Sequence, residues 1–223
     1  GLERRLKKEG VGEVLFDRFT RGRYATDASS YQMMPMGVVL PRTMEEAERA
    51  IAIARAEGVS VTARGGGTSQ CGQTINHSLI VDCSKFLNKI VSLDKDAKTC
   101  VVQPGIVLDE LNRQLKPHGL WYPVDVSTSA QCTLGGMAGN NSCGSKSIRY
   151  GLMADNVLSI DALLADGTRP FLRSKTPVYV DIQRGMRTAD IAEVLENAGV
   201  IRSRWTFLVW HRLQFGRSLK AGE

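Results

Sequence analysis

No apolar run in this sequence approaches the roughly 18–20 residues that a bilayer-spanning helix needs, so no transmembrane segment is expected. The opening stretch, Gly1-Leu2-Glu3-Arg4-Arg5-Leu6-Lys7-Lys8-Glu9, holds no hydrophobic region of the kind that drives secretion. It also begins without Met, from which we expect the sequence to be a piece of a longer chain. Cysteine is scarce and unpatterned. Cys71, Cys83, Cys100, Cys132 and Cys143 are odd in number and none sits in a C-x-x-C pair, which argues against a disulfide framework and a zinc site alike. Free thiols in a reducing cytoplasmic compartment is the expectation. His77, His118 and His211 stand alone without ligand spacing, so no metal is expected either. Net positive charge is small once the tail is set aside. Of the net +6, four units fall after residue 200, on Arg202, Arg204, Arg212, Arg217 and Lys220 against Glu223. The rest of the chain carries no electrostatic footprint for nucleic acid.

What is present is an ordinary globular composition, 43% hydrophobic and 23% charged, in a length that supports one large domain or two small lobes. Residues 2–18 carry Leu2, Leu6, Val14 and Leu15 among charges, which predicts one or two short amphipathic helices. Gly37-Val38-Val39-Leu40-Pro41 reads as a buried strand. Thr43 and Glu46 fit a capping box, and Ala47, Ala50, Ile51 and Ala54 fall on one helical face, with Gly58 as the C-terminal stop. Val59–Ala63 then returns as a strand, and the crossover implies parallel pairing. Leu79–Asp82 is a further strand, and Ile90–Leu93 and Thr99–Gln103 make a hairpin around Asp94–Lys98. A helix is predicted from Val107 to Lys116. Residues 125–151 are glycine-, asparagine- and serine-rich without periodicity. Val157–Ala165 reads as a long strand, Asp166-Gly167 as a type I′ turn, and Thr168–Phe171 as the return. A last helix is predicted near Thr188–Asn197. Neither an internal repeat nor a low-complexity linker is present. The fold class is α+β, with a small parallel unit followed by a more antiparallel one.

Two glycine-dense segments carry the chemical signal. Arg64-Gly65-Gly66-Gly67-Thr68-Ser69-Gln70-Cys71-Gly72 follows a strand directly. Its glycines admit positive φ and close backbone approach, and successive N–H groups can form a nest for a phosphate, with hydroxyls from Thr68 and Ser69 beside it. No Gly-Lys-Ser/Thr follows, so it is not a P-loop, and the spacing fails the dinucleotide fingerprint at Gln70. Alone it reads equally well as a flexible turn. The second segment, Thr133-Leu134-Gly135-Gly136-Met137-Ala138-Gly139-Asn140-Asn141-Ser142-Cys143-Gly144, presents little side-chain bulk. Such a surface suits a flat ring or a diphosphate, with amides from Asn140 and Asn141 to read it. A close helix–helix contact is the competing reading. Its polar small residues would then be buried without partners, which disfavours it.

Taken in order, Val38–Pro41, Arg64–Gly72, Gln103-Pro104-Gly105, Pro123-Val124-Asp125, Cys132–Gly144, Arg149-Tyr150-Gly151 and Ala165-Asp166-Gly167 resemble the FAD-binding domain of the vanillyl-alcohol oxidase / p-cresol methylhydroxylase superfamily. The glycolate oxidase D-subunit and D-lactate dehydrogenase branch is the most similar, over about residues 20–200. The resemblance implies a two-lobed fold holding FAD. It divides the chain into an N-terminal segment (1–36), an FAD-binding domain (37–200, lobes about 37–105 and 106–200) and a basic tail (201–223). By the same resemblance Gly65, Gly66, Gly67, Thr68 and Ser69 bind the pyrophosphate, and Arg64, Gly72 and Pro104 are cofactor-binding residues as well. Asp125, Ser127, Thr128, Ser129, Thr133, Gly135, Gly136, Asn140, Asn141 and Gly144 line the ribityl chain and isoalloxazine, and Tyr150, Gly151 and Val157 contribute backbone contacts. No His stands in the glycine loop where some relatives attach the flavin, so FAD is expected to be non-covalent. Cys132 is expected to be an inert buried thiol.

The implied reaction is hydride transfer from a small D-2-hydroxy acid to flavin N5, with Arg149 the candidate, on residue type, for the substrate carboxylate. An iron–sulfur or other electron-acceptor partner is implied for this branch. The catalytic base belongs to a cap domain that the resemblance does not find here, and from about Ile201 the family pattern stops. We read that stretch as a truncated or frame-shifted tail. Two other functions are weighed against this one: a catalytically incomplete FAD- or nucleotide-binding module lacking its substrate domain, and an anion- or RNA-binding protein.

Overall fold

The computed structural model describes residues 1–163 and 188–197, together with Ser203, Trp205 and Leu208. Residues Gly1–Val157 belong to one compact unit, and the described residues from Leu158 onward to a second.

The first unit is built on a four-stranded sheet. Strands β1 (Glu13–Leu15), β2 (Gly37–Leu40), β3 (Val61–Arg64) and β4 (Leu79–Asp82) lie in the order β1-β2-β4-β3. β4 runs parallel to both β2 and β3, as the crossover through a helix requires. β2 and β4 are buried along their whole lengths, which is why Gly-Val-Val-Leu and Leu-Ile-Val-Asp read as continuous apolar runs rather than alternations. The N-terminal segment supplies helix α1 (Leu2–Lys8) and then β1, which pairs antiparallel with β2. Val14 and Leu15 were expected on a helix. They form this edge strand because β2 offers them a backbone ladder and a buried face, a tertiary demand that helical periodicity cannot register. Helix α2 (Arg18–Arg23) follows, its start capped by Asp17, whose carboxylate accepts the Thr20 N–H at 2.8 Å.

Helix α3 (Met44–Ala56) connects β2 to β3. Thr43 Oγ1 accepts the Glu46 N–H at 3.2 Å. Glu46 does not close the expected box on Thr43; its carboxylate accepts the Arg42 N–H at 2.7 Å, one residue earlier. The helix ends in a Schellman pair, Gly58 N–H to the Arg55 carbonyl and Val59 N–H to the Ala54 carbonyl. The buried face is Ala47, Ala50, Ile53 and Ala54, with Ile53 in the place expected for Ile51. It packs with Leu2, Leu6, Val11, Val39 and Leu79 into one core.

A second core lies further along the chain. The hairpin of β5 (Ile90–Asp94) and β6 (Thr99–Val102) is antiparallel, with an irregularity between Ile90 and Ser92. Helix α4 (Leu108–Leu115) buries Leu108, Leu111 and Leu115, the one-face spacing of an amphipathic helix. These residues join Ile106, Val124, Cys132, Leu134, Met137 and Met153. The glycine-rich stretch read as loop contains two short helices, α5 (Leu134–Gly139) and α6 (Ser147–Tyr150). Propensity disfavours a helix with three glycines in six residues. α5 forms because Thr133 caps it and Leu134 and Met137 are buried beneath it.

The predicted strand from Val157 is not found at residues 157–163, and Leu158 and Ile160 are exposed. The apolar run alone signalled burial, but among the described residues nothing pairs with it as a ladder. Its turn at Asp166-Gly167 and its return lie outside the described residues, as does most of the tail. In the second unit helix α7 (Thr188–Asn197) buries Ile191 and Ala192.

Candidate functional site

The two glycine-dense bends meet. β3 delivers Gly65 and Gly66 against the segment that opens α5. A Cβ built on Gly65 would strike the Thr133 hydroxyl, and one on Gly66 the Gln131 carbonyl. Gly66 is therefore demanded by the approach of two backbones, and Gly65 by the Thr133 side chain packed against it. Gly67 takes the left-handed region at φ +66° and turns the loop back on itself.

Gly66, Gly67, Thr68, Ser69 and Gln70 all have backbone N–H groups with no protein acceptor among the described residues. Gly67, Thr68 and Ser69 are half-buried. Consecutive unpartnered amides in a half-buried bend are costly unless an acceptor arrives, and an oxyanion suits them best. The Ser69 hydroxyl donates to Gln73 Oε1 at 2.7 Å and accepts the Cys71 N–H at 3.2 Å, so the loop is internally braced. The Arg64 guanidinium points into the protein. It donates to the Thr26 carbonyl at 2.9 Å and to the Tyr24 and Thr74 carbonyls at 3.4 Å.

The start of α5 differs from that loop. Its amides are already satisfied: Leu134 N–H by the Ile106 carbonyl at 2.9 Å, Gly135 N–H by the Pro104 carbonyl at 2.8 Å, and Gly136 N–H by Thr133 Oγ1 at 3.4 Å. The helix start is thus no anion cradle. What α5 offers is its outer surface, where Gly136, Gly139 and Asn140 are exposed and a Cβ on Gly139 would meet nothing within 4 Å. Bare backbone beside a run of free amides fits a flat group bearing a diphosphate.

The remaining candidates form a connected frame. Pro104 is held to Gly135, and Gly144 lies against the Asp125 backbone. Asp125 accepts the Ser145 hydroxyl at 2.8 Å and the Lys146 N–H at 2.9 Å. Those hydrogen bonds, the Lys146 amide foremost, hold its carboxyl below the usual range. Ser127, Thr128 and Ser129 lie on the turn before Cys132, where the Thr128 carbonyl accepts both Gln131 N–H and Cys132 N–H at 2.8 Å. The Asn141 side-chain oxygen is spoken for, accepting Ala154 N–H at 2.9 Å. Tyr150 packs edge-on to Trp121 at 5.2 Å, and Gly151 turns the chain at φ +83°. Arg149 is exposed, over the Tyr150 ring at 5.4 Å. Val157 packs against the second core and presents no polar side-chain atom.

Cys132 is buried, and burial raises its thiol pKa, which keeps it neutral and weakly nucleophilic. His77 Nδ1 lies 2.9 Å from the Met34 carbonyl. Among the described residues no three His, Cys, Asp or Glu side chains group as metal ligands, and no helix is long and apolar enough to cross a membrane. Reading the sequence alone missed Tyr24, Asp27, Thr74 and Asp82, which surround the base of the glycine loop. Asp82 carried the one available signal, a carboxylate closing the apolar run Leu79-Ile80-Val81.

The FAD binding domain family model matches residues 35–170. D-2-hydroxyglutarate dehydrogenase of Haemophilus influenzae is 35% identical over 185 residues, 82% of this chain and 18% of that protein. Glycolate oxidase subunit GlcD of Bacillus subtilis is 35% identical over 160 residues, 70% of this chain and 34% of that one. The chain thus spans 18% of the length of the first of these relatives and 34% of the second. Among solved structures, alkyldihydroxyacetonephosphate synthase superposes with a TM-score of 0.69 at 26% identity, covering 74% of this chain and 36% of its own. The family is matched over more than half of the sequence, along the elements that carry both bends: this chain belongs to the FAD-binding domain family.

Proposed function

We propose that the chain is the FAD-binding domain of a flavin-dependent oxidoreductase that oxidises small D-2-hydroxy acids. The observation that carries the reading is the run of unpartnered amides from Gly66 to Gln70, set against the segment that opens α5. The pyrophosphate is taken by those amides with the Thr68 hydroxyl. The bare surface at Gly136 and Gly139 receives the ring system, and Asn140 supplies amide contacts. Asp125, Ser127, Thr128, Ser129 and Gly144 form the frame beside them. Bound FAD supplies the hydride acceptor, flavin N5, for oxidation of the hydroxyl-bearing carbon. Arg149 is assigned to the substrate carboxylate as an exposed guanidinium beside the frame. D-2-Hydroxyglutarate, D-lactate and glycolate are the acids to try, because the relatives of this chain are named for them.

A flavin spectrum followed by anaerobic titration tests this. Purified chain is expected to take up one FAD and to show the shifted absorption of a bound flavin. Bleaching by one of the three acids identifies a complete reductive half-reaction, in which the acid is oxidised and the flavin reduced. FAD uptake without bleaching assigns the chain to cofactor binding alone. A colourless protein that takes up no FAD overturns both.

A further inference from the structure

The glycine loop is held from below by side chains bonded to neighbouring segments of the chain. Arg64, at the end of β3, reaches across to three carbonyls from two separate segments, at Tyr24, Thr26 and Thr74. Its guanidinium also lies over the Tyr24 ring at 5.3 Å and directly beneath Gly67. The Tyr24 hydroxyl donates to the buried carboxylate of Asp82 at 2.6 Å, at the end of the neighbouring strand β4. Asp82 is fixed in turn by the Ser84 amide and hydroxyl, both at 2.7 Å. The same N-terminal segment reaches the loop at other points. The Ala28 N–H donates to the Gly67 carbonyl at 3.1 Å, the Thr74 hydroxyl to Asp27 at 2.9 Å, and the Tyr31 ring lies against Gly72.

We propose that Arg64, Tyr24 and Asp82 are positioning residues that set the Gly66–Gln70 amides in their binding conformation before any ligand arrives. The loop's turn at Gly67 rests on the Arg64 guanidinium, and the free amides lie on either side of that turn. Arg64 suits the task because its planar fork reaches several carbonyls at once, which an ammonium cannot reproduce. A preformed nest binds more tightly because the loop's ordering cost is met during folding rather than on binding. Burial and the adjacent Asp82 push the Tyr24 phenol upward, so the hydroxyl remains a neutral donor throughout the working range.

This inference rests on the functional reading above, and its test separates the two. FAD affinity is measured by flavin fluorescence for the wild-type chain, Arg64→Met, Arg64→Lys and Tyr24→Phe, with thermal unfolding of each apo protein as the folding control. We expect Arg64→Met to weaken FAD binding by about tenfold or more, the loss of a charge-assisted network, and Lys not to restore it. Tyr24→Phe is expected to weaken binding by a smaller factor while the apo protein stays folded. Guanidinium added below denaturing concentration is expected to recover affinity in Arg64→Gly and to leave the wild type unchanged, a response that a general loss of stability does not produce. Wild-type affinity in folded Arg64→Met, or failure of guanidinium rescue with Arg64→Gly folded, overturns the inference and leaves the functional reading intact. Should Arg64→Met and Arg64→Gly fail to fold, undiminished affinity in folded Tyr24→Phe overturns it instead. No FAD uptake by the wild type overturns both.

Discussion

Gly66 and Gly139 are chemically the same residue in opposite surroundings. At Gly66 an added Cβ meets the Gln131 carbonyl, so Gly66→Ala must push apart the segments that bring the two bends together. We expect it to cost roughly 1–3 kcal/mol of stability, as overpacking usually does, and to abolish FAD uptake; urea unfolding and flavin titration measure the two effects. At Gly139 the same methyl enters open space at the last residue of a helix. Gly139→Ala is expected to leave the apo protein as stable or up to about 1 kcal/mol more so, since alanine favours helix. If the flavin rests on that surface, FAD affinity falls even as the melting temperature holds or rises. Unchanged affinity would remove α5 from the site. Thiol reactivity gives a third check. Burial and the neighbouring Asp82 push Cys83 up to about 11, so at pH 8 it is neutral, whereas Cys71 and Cys143 are exposed. Iodoacetamide followed by peptide mapping is expected to label Cys71 and Cys143 first and to spare Cys83 and Cys132.

Elements inherit their behaviour from the ends that hold them. α5 stands on the Thr133 cap and on two buried side chains, Leu134 and Met137, since its own sequence has little helical preference. Thr133→Ala is expected to cost about 1 kcal/mol by losing the cap, and hydrogen exchange should show the loss concentrated at residues 134–139. α4 carries a surface charge pair instead. Hydrogen bonds from Arg113 and Gln114 depress Glu110 from 4.5 to about 2. For a carboxylate lowered on folding, the stabilisation is fully present above pH 4.5 and disappears as pH falls towards 2. A carboxyl NMR titration is expected to place the Glu110 midpoint near its depressed value and to return it upward in Arg113→Met. The pair is solvent-exposed, so its effect is local and weakens with salt.

At the scale of the molecule, ligand binding and stability are linked. A ligand that binds only the folded chain stabilises it by about 2.7 kcal/mol at a hundredfold excess over its Kd. FAD is therefore expected to raise the melting temperature in a concentration-dependent way, and FMN, which lacks the diphosphate, to do so far less. Equal shifts from FMN and FAD would mean that the amides after β3 do not hold a pyrophosphate.

Much of this was legible from residue order. Local rules sufficed for β2, α3, the β5–β6 hairpin and α4, because each has a period, a cap or a turn signal within a dozen residues. The two glycine bends were legible as candidate sites, but the FAD-binding family was legible only through the resemblance of seven segments in order, not through any local rule. Tertiary structure decided the rest. Val14 and Leu15 became a strand only because β2 has an open edge. Three glycines became helix only because Leu134 and Met137 find a core. That Gly65 and Gly66 rest on Gln131 and Thr133, and that Arg64 turns inward to brace the loop it precedes, are contacts between residues dozens of positions apart. Sequence encodes such contacts through packing, which carries no local period and so leaves no local mark.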